Sequence, residues 1–223
     1  MTIQRRGWQL HKGWPESEFC EEGSRTLNKE RVVFIDVETT GLEPAKGHRI
    51  IEIGAIAMEN NQTISEFQSL VQVSCPIPRH VSKIHGITNA LLAGQPIPEQ
   101  IYPEFKHFIS DSLLIAHNAK FDVGFLRSEF SRLNLRLQNP NICTLEMSRR
   151  RYPRLPNYKL STVYQHLVGM AEDMFRSGDV MRKPKGSASC PRKNETCFRK
   201  LQQHRALDDA RMVAAIWMAM EEK

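Results

Sequence analysis

Apolar and polar positions follow two different periods along the chain from Arg31 onward. Short apolar runs bounded by Gly, Pro or Asn predict buried strands, and apolar residues spaced three or four positions apart predict helices. The predicted strands are Val32–Ile35, Ile50–Met58, Glu66–Val73, Leu113–Ala116 and Ile142–Cys143. The predicted helices are Pro98–Ile109, Phe121–Leu133, Leu145–Arg151, Lys159–Val168 and Ala206–Met220. Three strands in a row, followed by alternating strands and helices, predict an α/β fold whose mixed sheet is covered by helices.

The chain divides into a polar lead-in and one larger domain. Residues 1–30 show no clear period and are expected to be extended or weakly structured. Residues 31–223 carry all the predicted strands and helices, interrupted by an irregular basic insertion at about 170–203. With 223 residues and 40% hydrophobic positions, the chain is long enough to bury one good core.

The charge balance narrows the class of partner. The net charge of +6 and the isoelectric point near 9.2 favour a polyanion, such as nucleic acid or an anionic membrane surface. No apolar run approaches the roughly 20 residues of a membrane helix, and residues 1–30 lack the apolar stretch of a secretory signal. The 5 cysteines are odd in number and scattered, as in a reduced intracellular protein. The predicted location is therefore the cytoplasm, with no membrane partner.

Two acids close the first predicted strand. Asp36 and Glu38 are two residues apart, and alternate residues of a strand point to the same face. Carboxylates held this close repel each other unless a cation lies between them. The alternative for this pair alone is two solvated acids at a strand end. Asp122 and Asp209 have an alternative as well, since acids in the first turn of a helix are stabilised by its dipole.

Three segments that contain these acids follow one another along the chain: Asp36-Val37-Glu38-Thr39-Thr40-Gly41-Leu42, His117-Asn118-Ala119-Lys120-Phe121-Asp122 and His204-Arg205-Ala206-Leu207-Asp208-Asp209-Ala210. They resemble the three motifs of the DEDDh exonucleases, a DnaQ-like family of 3′→5′ exonucleases that includes the epsilon proofreading subunits of bacterial DNA polymerase III. The resemblance runs from residue 31 to about residue 220, apart from the basic insertion. It implies a ribonuclease H-like fold, with a mixed five-stranded sheet flanked by helices and the acids at one end of the sheet.

The resemblance also implies a role for each motif residue. Two divalent cations, Mg²⁺ or Mn²⁺, would be held by Asp36, Glu38, Asp122 and Asp209, because carboxylate oxygens suit hard cations. Asp36 would lie between the two cations, Glu38 and Asp209 on the side of the attacking water, and Asp122 on the side of the leaving group. His204 would be the general base that takes a proton from that water.

The last acid requires a choice, because Asp208 and Asp209 are adjacent. The spacing of the third motif selects Asp209, since the alanines on both sides of it then fall in register. Adjacent helical residues point about 100° apart, so Asp208 is expected to face solvent.

The resemblance places four residues near the substrate. Thr40 and Leu42 follow the first acids, where family members hold the terminal nucleotide with backbone amides and an apolar side chain. Asn118 opens the second motif. His85 resembles a histidine that lies near the 3′-terminal nucleotide in epsilon-like members.

The role of His85 has an alternative, and the sequence near it differs from that of the epsilon subunits. The segment Ile84-His85-Gly86-Ile87-Thr88 carries the resemblance. The alternative is a loop histidine that caps a helix starting near Thr88. Five residues earlier, His80 stands where the epsilon subunits have a glutamate.

Two basic stretches depart from the family pattern. The insertion at about 170–203 carries Lys and Arg among Gly, Ser and Pro, and is either an arm that grips phosphates or a solvated loop. Cys190 and Cys197 within it are interpreted as reduced surface thiols rather than as a metal site, because no paired ligands lie nearby. The second cluster consists of Arg149, Arg150, Arg151 and Arg154.

These features predict a metal-dependent 3′→5′ exonuclease that acts on single-stranded DNA or on 3′ ends of DNA and releases nucleoside 5′-monophosphates. An RNA-trimming exoribonuclease of the same superfamily is the alternative, since the acids do not reveal how the site treats a 2′-hydroxyl. A catalytically silent nucleic-acid-binding module is the alternative from another class, although all four acids are present. A polymerase partner is compatible with the family, but the short C-terminus does not indicate one.

Overall fold

The computed structural model describes residues 31–167 and 205–221. Within them, five strands form one sheet: β1 (Arg31–Thr39), β2 (Ile50–Glu59), β3 (Gln62–Leu70), β4 (Leu113–Ala116) and β5 (Asn141–Cys143). The helices are α1 (Arg79–His85), α2 (Asn89–Leu92), α3 (Pro98–Ile109), α4 (Ala119–Arg132), α5 (Thr144–Arg151), α6 (160–167) and α7 (Ala206–Glu221). A short 3₁₀ turn covers Pro44–Lys46. This mixed five-stranded sheet flanked by helices confirms the predicted fold class.

The order of the strands in the sheet is β3-β2-β1-β4-β5. β1 is antiparallel to β2, and β2 to β3, whereas β4 runs parallel to both β1 and β5. The C-terminal ends of β1, β4 and β5 therefore meet at one edge, because parallel strands share a direction. The first and second sequence motifs begin at this edge.

Alternate residues of β1 face opposite layers of helices. Val33 and Ile35 belong to a core shared with α3 and α4, whereas Phe34 belongs to a second core shared with α7. Asp36 and Glu38 continue the face of Phe34, because side chains in a strand alternate with a period of two. The helix that carries the third motif therefore packs on the face of the sheet where the first acids lie.

The third strand differs from its predicted bounds. It begins at Gln62 rather than Glu66 and ends at Leu70. Asn60 and Asn61 both have positive φ, 50° and 61°, as in a two-residue hairpin turn, so the antiparallel pairing resumes at once. The residues after this turn are mostly polar, so the beginning of β3 does not appear as an apolar run in the sequence.

Helix α1 has no counterpart in the sequence prediction, because it is too short to show a helical period. Helix α2 corresponds to the helix expected to start near Thr88. α1 ends at His85 and is capped by Gly86, whose φ of 76° is left-handed. α2 begins after Thr88, whose hydroxyl accepts a hydrogen bond from the Leu91 N–H at 3.2 Å. Local capping therefore defines both helices.

The lead-in of residues 1–30, the insertion at 170–203 and His204 lie outside the described residues. The division into lead-in, domain and insertion therefore stays a prediction. No helix within 31–167 or 205–221 combines the length and apolar character needed to cross a membrane.

Helix α7 approaches β2 at a position that has no side chain. Gly54 of β2 pairs with Asp36 of β1, and a Cβ atom at Gly54 would collide with backbone atoms of Ala206 and Leu207. The first turn of α7 is therefore held directly against the sheet, beside Asp36.

We expect Gly54→Ala to lower the free energy of unfolding by about 1–3 kcal/mol, because backbone atoms cannot move aside as a flexible side chain can. Gly124→Ala is the matched control, since a Cβ atom there, within α4, meets nothing within 4 Å. Alanine in a helix is favoured over glycine by up to about 1 kcal/mol, so this variant should be stabilised. Urea denaturation measures both changes. If Gly54→Ala is as stable as the wild type, the close approach of α7 to β2 is contradicted.

Candidate active site

The two acids of the first motif lie where β1 ends. Asp36 pairs with Gly54 across the β1–β2 ladder and Glu38 pairs with Glu52, and the register then shifts between Glu38 and Thr39. Both acidic side chains are half-buried. The irregularity that ends the ladder therefore comes directly after the second acid, at the edge shared with β4.

The third motif brings Asp209 to the same edge. Asp209 lies in the first turn of α7, and one carboxylate oxygen from each of Asp36, Glu38 and Asp209 lies within 4.8 Å of the other two. Asp208 points away: it is exposed, and its Oδ1 accepts from Nη1 of Arg211 at 2.8 Å. We call Asp36, Glu38 and Asp209 the acid trio.

Asp122 is fixed beside the trio. It lies in the first turn of α4 and is only 3% exposed. Its Oδ1 accepts a hydrogen bond at 3.2 Å from the backbone N–H of Val37, the residue between Asp36 and Glu38. The four predicted acids therefore share one end of the sheet. Asp36, Glu38 and Asp209 form the trio, and Asp122 is hydrogen-bonded to β1, the strand that carries Asp36 and Glu38.

Burial, together with the neighbouring carboxylates, raises the pKa values of Asp36 and Asp122. Burial and the charges of Asp122, Asp209 and Glu38 raise the pKa of Asp36 well above its usual value. Burial raises the pKa of Asp122 to about 8 with a contribution from Asp209, although its backbone hydrogen bonds act in the opposite direction. Carboxylates in this arrangement are ionised together at neutral pH only when a cation offsets their charge. The all-oxygen donor set fits a hard divalent cation.

A cavity of about 280 Å³ lies between the loop after β1 and the start of α4. Leu42 forms one wall with a side chain that is 78% exposed, and Asn118 lies at the start of α4 with a left-handed φ of 75°. The remaining lining residues are Pro44, Lys120, Phe121, Gly124 and Phe125. Two of the residues predicted to contact substrate thus line one cavity, together with aromatic rings and an exposed cation.

Thr40 is held inside the protein. Its backbone N–H donates to the carbonyl of Arg49, and its hydroxyl accepts from the N–H of Arg49, both at 2.9 Å. The side chain is 2% exposed. Thr40 therefore shapes the loop that presents Leu42, and its amide is already bound within the protein.

His85 is the last residue of α1 rather than a loop residue, and it is buried. Its Nδ1 accepts from the N–H of Ile87 at 3.0 Å. The cap of α2 is Thr88, so the structure does not support the alternative in which His85 caps that helix.

His117, the histidine of the second motif, connects three segments at this edge. Its Nε2 donates to the carbonyl of Tyr158 at 2.7 Å, and its Nδ1 lies 3.0 Å from the hydroxyl of Thr144. Burial lowers the pKa of His117, with a smaller lowering by Arg149, while the Tyr158 carbonyl and Asp209 raise it. Both ring nitrogens are engaged, so His117 has a structural role in the described part of the site.

One residue that lies next to the trio does not stand out in the sequence. Glu52 pairs with Glu38 across the ladder and is fully buried, and its carboxylate binds the guanidinium of Arg205 at 2.8 Å. A single acid inside the apolar run Ile50–Met58 is the signal available in the sequence. Alternation of apolar and polar positions does not reveal a partner so distant along the chain.

Comparison with known proteins identifies the family. Residues 33–177 match the sequence model of the RNase T family of exonucleases. The chain belongs to the DEDDh exonucleases. The epsilon subunit of DNA polymerase III from Buchnera aphidicola subsp. Schizaphis graminum is 37% identical over 171 residues, which cover 69% of this DEDDh exonuclease and 73% of that subunit.

The PolC-type relatives of this DEDDh exonuclease are much longer proteins. PolC-type DNA polymerase III from Caldanaerobacter subterraneus subsp. tengcongensis is 33% identical over 202 residues, 91% of this chain but 12% of the polymerase. Among solved structures, exonuclease X in complex with 5′ overhanging duplex DNA is 26% identical, with a TM-score of 0.57 over 86% of this chain and 92% of that one. The nuclease domain of 3′hExo, a DEDDh family member bound to rAMP, shares the fold at 17% identity and a TM-score of 0.62, over 87% of this chain and 93% of that one.

The raised carboxyl pKa values predict how stability depends on pH in the absence of metal. An unfolded aspartate loses its proton near pH 3.9, whereas Asp122 in the folded chain keeps it to about pH 8. Between these values the folded state binds more protons, so the free energy of unfolding falls as pH rises. Urea denaturation in EDTA at pH 5 and pH 8 should show this decrease, and it should be smaller in Asp122→Asn. An equal pH dependence in the wild type and the variant would contradict the assignment.

Proposed function

We propose that this DEDDh exonuclease removes nucleotides from the 3′ end of single-stranded DNA and releases nucleoside 5′-monophosphates. The observation that most supports this proposal is the acid trio, with Asp122 bound against the same strand. Carboxylates this close together are ionised together at neutral pH only when cations offset their charge, and such cations assist the hydrolysis of phosphodiesters. A 3′→5′ exonuclease is also the enzyme that the family relationship supports.

Two divalent cations, Mg²⁺ or Mn²⁺, are the proposed cofactors. Asp36 would hold both of them, Glu38 and Asp209 the one on the side of the attacking water, and Asp122 the one on the side of the leaving group. When bound, they would lower the pKa of the water and neutralise the charge that develops on the leaving oxygen. The protein contributes rigidity: the Val37 N–H fixes Asp122, and the packing of α7 fixes Asp209.

His204 is the proposed general base. It directly precedes Arg205 and the first turn of α7, which carries Asp209. A neutral imidazole accepts a proton from water at neutral pH, since its unperturbed pKa is about 6.5. His117 is unsuited to this role, because both of its ring nitrogens are hydrogen-bonded within the protein.

The cavity beside Leu42 is the proposed site for the terminal base. The side chain of Leu42 and the ring of Phe121 would pack against any of the bases, as a nuclease without sequence preference requires. Asn118 would lie at the rim, His85 would support the site from the end of α1, and Thr40 would hold the loop that presents Leu42.

DNA is proposed as the substrate because of the relatives. They are named as the epsilon subunit of DNA polymerase III or as a PolC-type DNA polymerase III, and the structure of exonuclease X contains DNA. A contact between this chain and a polymerase is not part of the proposal.

The test is digestion of single-stranded DNA labelled at its 5′ end, in Mg²⁺ or Mn²⁺, beside RNA of matched sequence. We expect a ladder that shortens from the 3′ end, with Asp36→Ala lowering the rate at least about 100-fold because the charge that holds the cations is removed. His204→Ala should lower the rate by about 10²–10⁴-fold, the range of general-base catalysis.

The same digestion separates the competing functions. Faster shortening of RNA than of DNA would replace the proposed substrate with RNA. The absence of metal-dependent shortening of either strand would contradict the proposal and leave a nucleic-acid-binding module. Asp208→Asn serves as the control, because Asp208 is exposed and points away from the trio, and it should retain activity.

The arginine cluster of α5 and the following loop predicts a dependence on salt. Arg149, Arg150, Arg151 and Arg154 are exposed and form no ion pair with another residue in 31–167 or 205–221. The guanidinium of Arg149 stacks 5.8 Å from the ring centre of Tyr158, whose carbonyl binds His117 at the active-site edge. These positions support the proposal that the cluster binds phosphates of a strand that enters the site.

Replacing Arg149 and Arg150 by glutamine should reduce the slope of log Kd against log salt concentration by about 0.7 for each phosphate that the protein no longer neutralises. Fluorescence anisotropy with labelled single-stranded DNA measures the slope. The matched control replaces Arg132, the last residue of α4, and Arg136, in the loop that follows; both are exposed, and the slope should stay unchanged. Equal slopes for the wild type and both variants would remove the cluster from the binding surface.

A further inference from the structure

Glu52 is a buried charge that the proposed reaction does not use. It lies in β2 directly opposite Glu38 and is fully buried. Residues paired across an antiparallel ladder point to the same face, so the Glu52 side chain shares the face of Asp36 and Glu38. A buried carboxylate beside two others is strongly unfavourable unless it is paired.

Arg205 supplies that pairing with two nitrogens. Its Nε and Nη2 donate to Oε1 of Glu52 at 3.0 and 2.8 Å, and Nε also lies 3.2 Å from Oε2. The backbone N–H of Ala206 donates to Oε2 at 3.3 Å, and Nε2 of Gln68 donates to Oε1 at 3.0 Å. Glu52 thus binds the start of α7 through the side chain of one residue and the backbone of the next.

These contacts fix the acid on the same turn of the helix. The N–H of Asp209 donates to the carbonyl of Arg205 at 3.0 Å, so the trio acid is joined to the anchored residue by one helical turn. Gly54 allows the backbone of Ala206 to lie directly on the strand. Any shift of Arg205 along the sheet would therefore shift Asp209 away from Asp36.

We propose that Glu52 and Arg205 form a positioning pair, which sets the place of Asp209 in the acid trio and thereby the affinity of the trio for divalent cations. Both residues act through Asp209 and not on the substrate. The effect on cleavage rests on the proposed function, whereas the effect on cation binding does not.

The same helix provides a matched control pair. Arg211 of α7 donates to the carboxylate of Glu66 in β3 through Nε at 3.2 Å and Nη2 at 2.7 Å. This pair joins the same helix to the same sheet by the same chemistry. It is exposed, and Glu66 pairs with Ile56, on the side of Gly54 away from Glu52.

The test measures Mn²⁺ binding to the full chain without nucleic acid, by isothermal titration calorimetry. Glu52→Gln and Arg205→Gln should weaken the affinity about 10-fold, a typical effect of removing a residue that supports a metal ligand. Arg205→Lys keeps the charge and should recover part of the affinity. Arg211→Gln and Glu66→Gln should leave the affinity within about twofold, because exposed ion pairs contribute little.

Steady-state kinetics and thermal unfolding provide a second set of measurements. The kcat of the Glu52 and Arg205 variants should fall about 10-fold with little change in KM for the oligonucleotide, since the trio and not the substrate cavity is disturbed. Arg205→Gln should be the more damaging change, because it leaves Glu52 buried without its cation, whereas a freed Arg205 is 40% exposed and reaches water. Circular dichroism checks that each variant is folded at the assay temperature.

Three outcomes would overturn the proposal. The first is an unchanged Mn²⁺ affinity in Glu52→Gln and Arg205→Gln. The second is equal weakening by the Arg211 and Glu66 variants, which would show that any loosening of α7 suffices. The third is a wild type that binds no Mn²⁺. If the wild type binds Mn²⁺ but shortens no nucleic acid, the proposed function fails, and the binding comparison still decides on the positioning pair.

Discussion

Repulsion among carboxylates at one end of the sheet is the constraint on which the rest of the structure depends. Asp36, Glu38 and Asp209 bring their oxygens within 4.8 Å of one another, and Asp122 is buried beside them. The raised pKa of Asp36 shows that this arrangement opposes ionisation and hence weakens the folded state in the absence of cations. In the proposed function, divalent cations would relieve the same repulsion. The grouped carboxylates therefore lower the stability of the metal-free protein, although the proposed activity requires them.

The fold resists this repulsion by fixing each acid through the backbone. Two acids belong to one strand, and a third is hydrogen-bonded to the N–H of Val37 between them. The fourth, Asp209, comes from a helix distant in sequence, and its place depends on apolar packing of α7 against β1 and β2. Gly54 permits the close approach, and the ion pair of Glu52 with Arg205 anchors the first turn. The same face of the sheet is thus apolar core at one end and acidic site at the other.

Much of this arrangement can be predicted from the sequence, because its signals are local. Apolar runs predict β1, β2 and β4, and the spacing of Asp36 and Glu38 predicts that their side chains share a face. Motif spacing predicts that Asp209, and not its neighbour, joins them. The buried partner of Glu52 could not be predicted, because a pairing across 153 residues depends on how α7 packs. The engagement of the Thr40 amide by the carbonyl of Arg49 depends in the same way on three-dimensional contacts. Helix α1 escapes prediction for another reason, since it is too short to show a helical period.

The central claim is that the four acids form one site for two divalent cations. Anomalous diffraction from crystals grown with Mn²⁺ and a nucleoside 5′-monophosphate tests it most directly. We expect two anomalous peaks about 3.5–4 Å apart, both in contact with Asp36, one also with Glu38 and Asp209 and the other on the side of Asp122. A single peak remote from Asp36, or two peaks that do not share this residue, would contradict the claim.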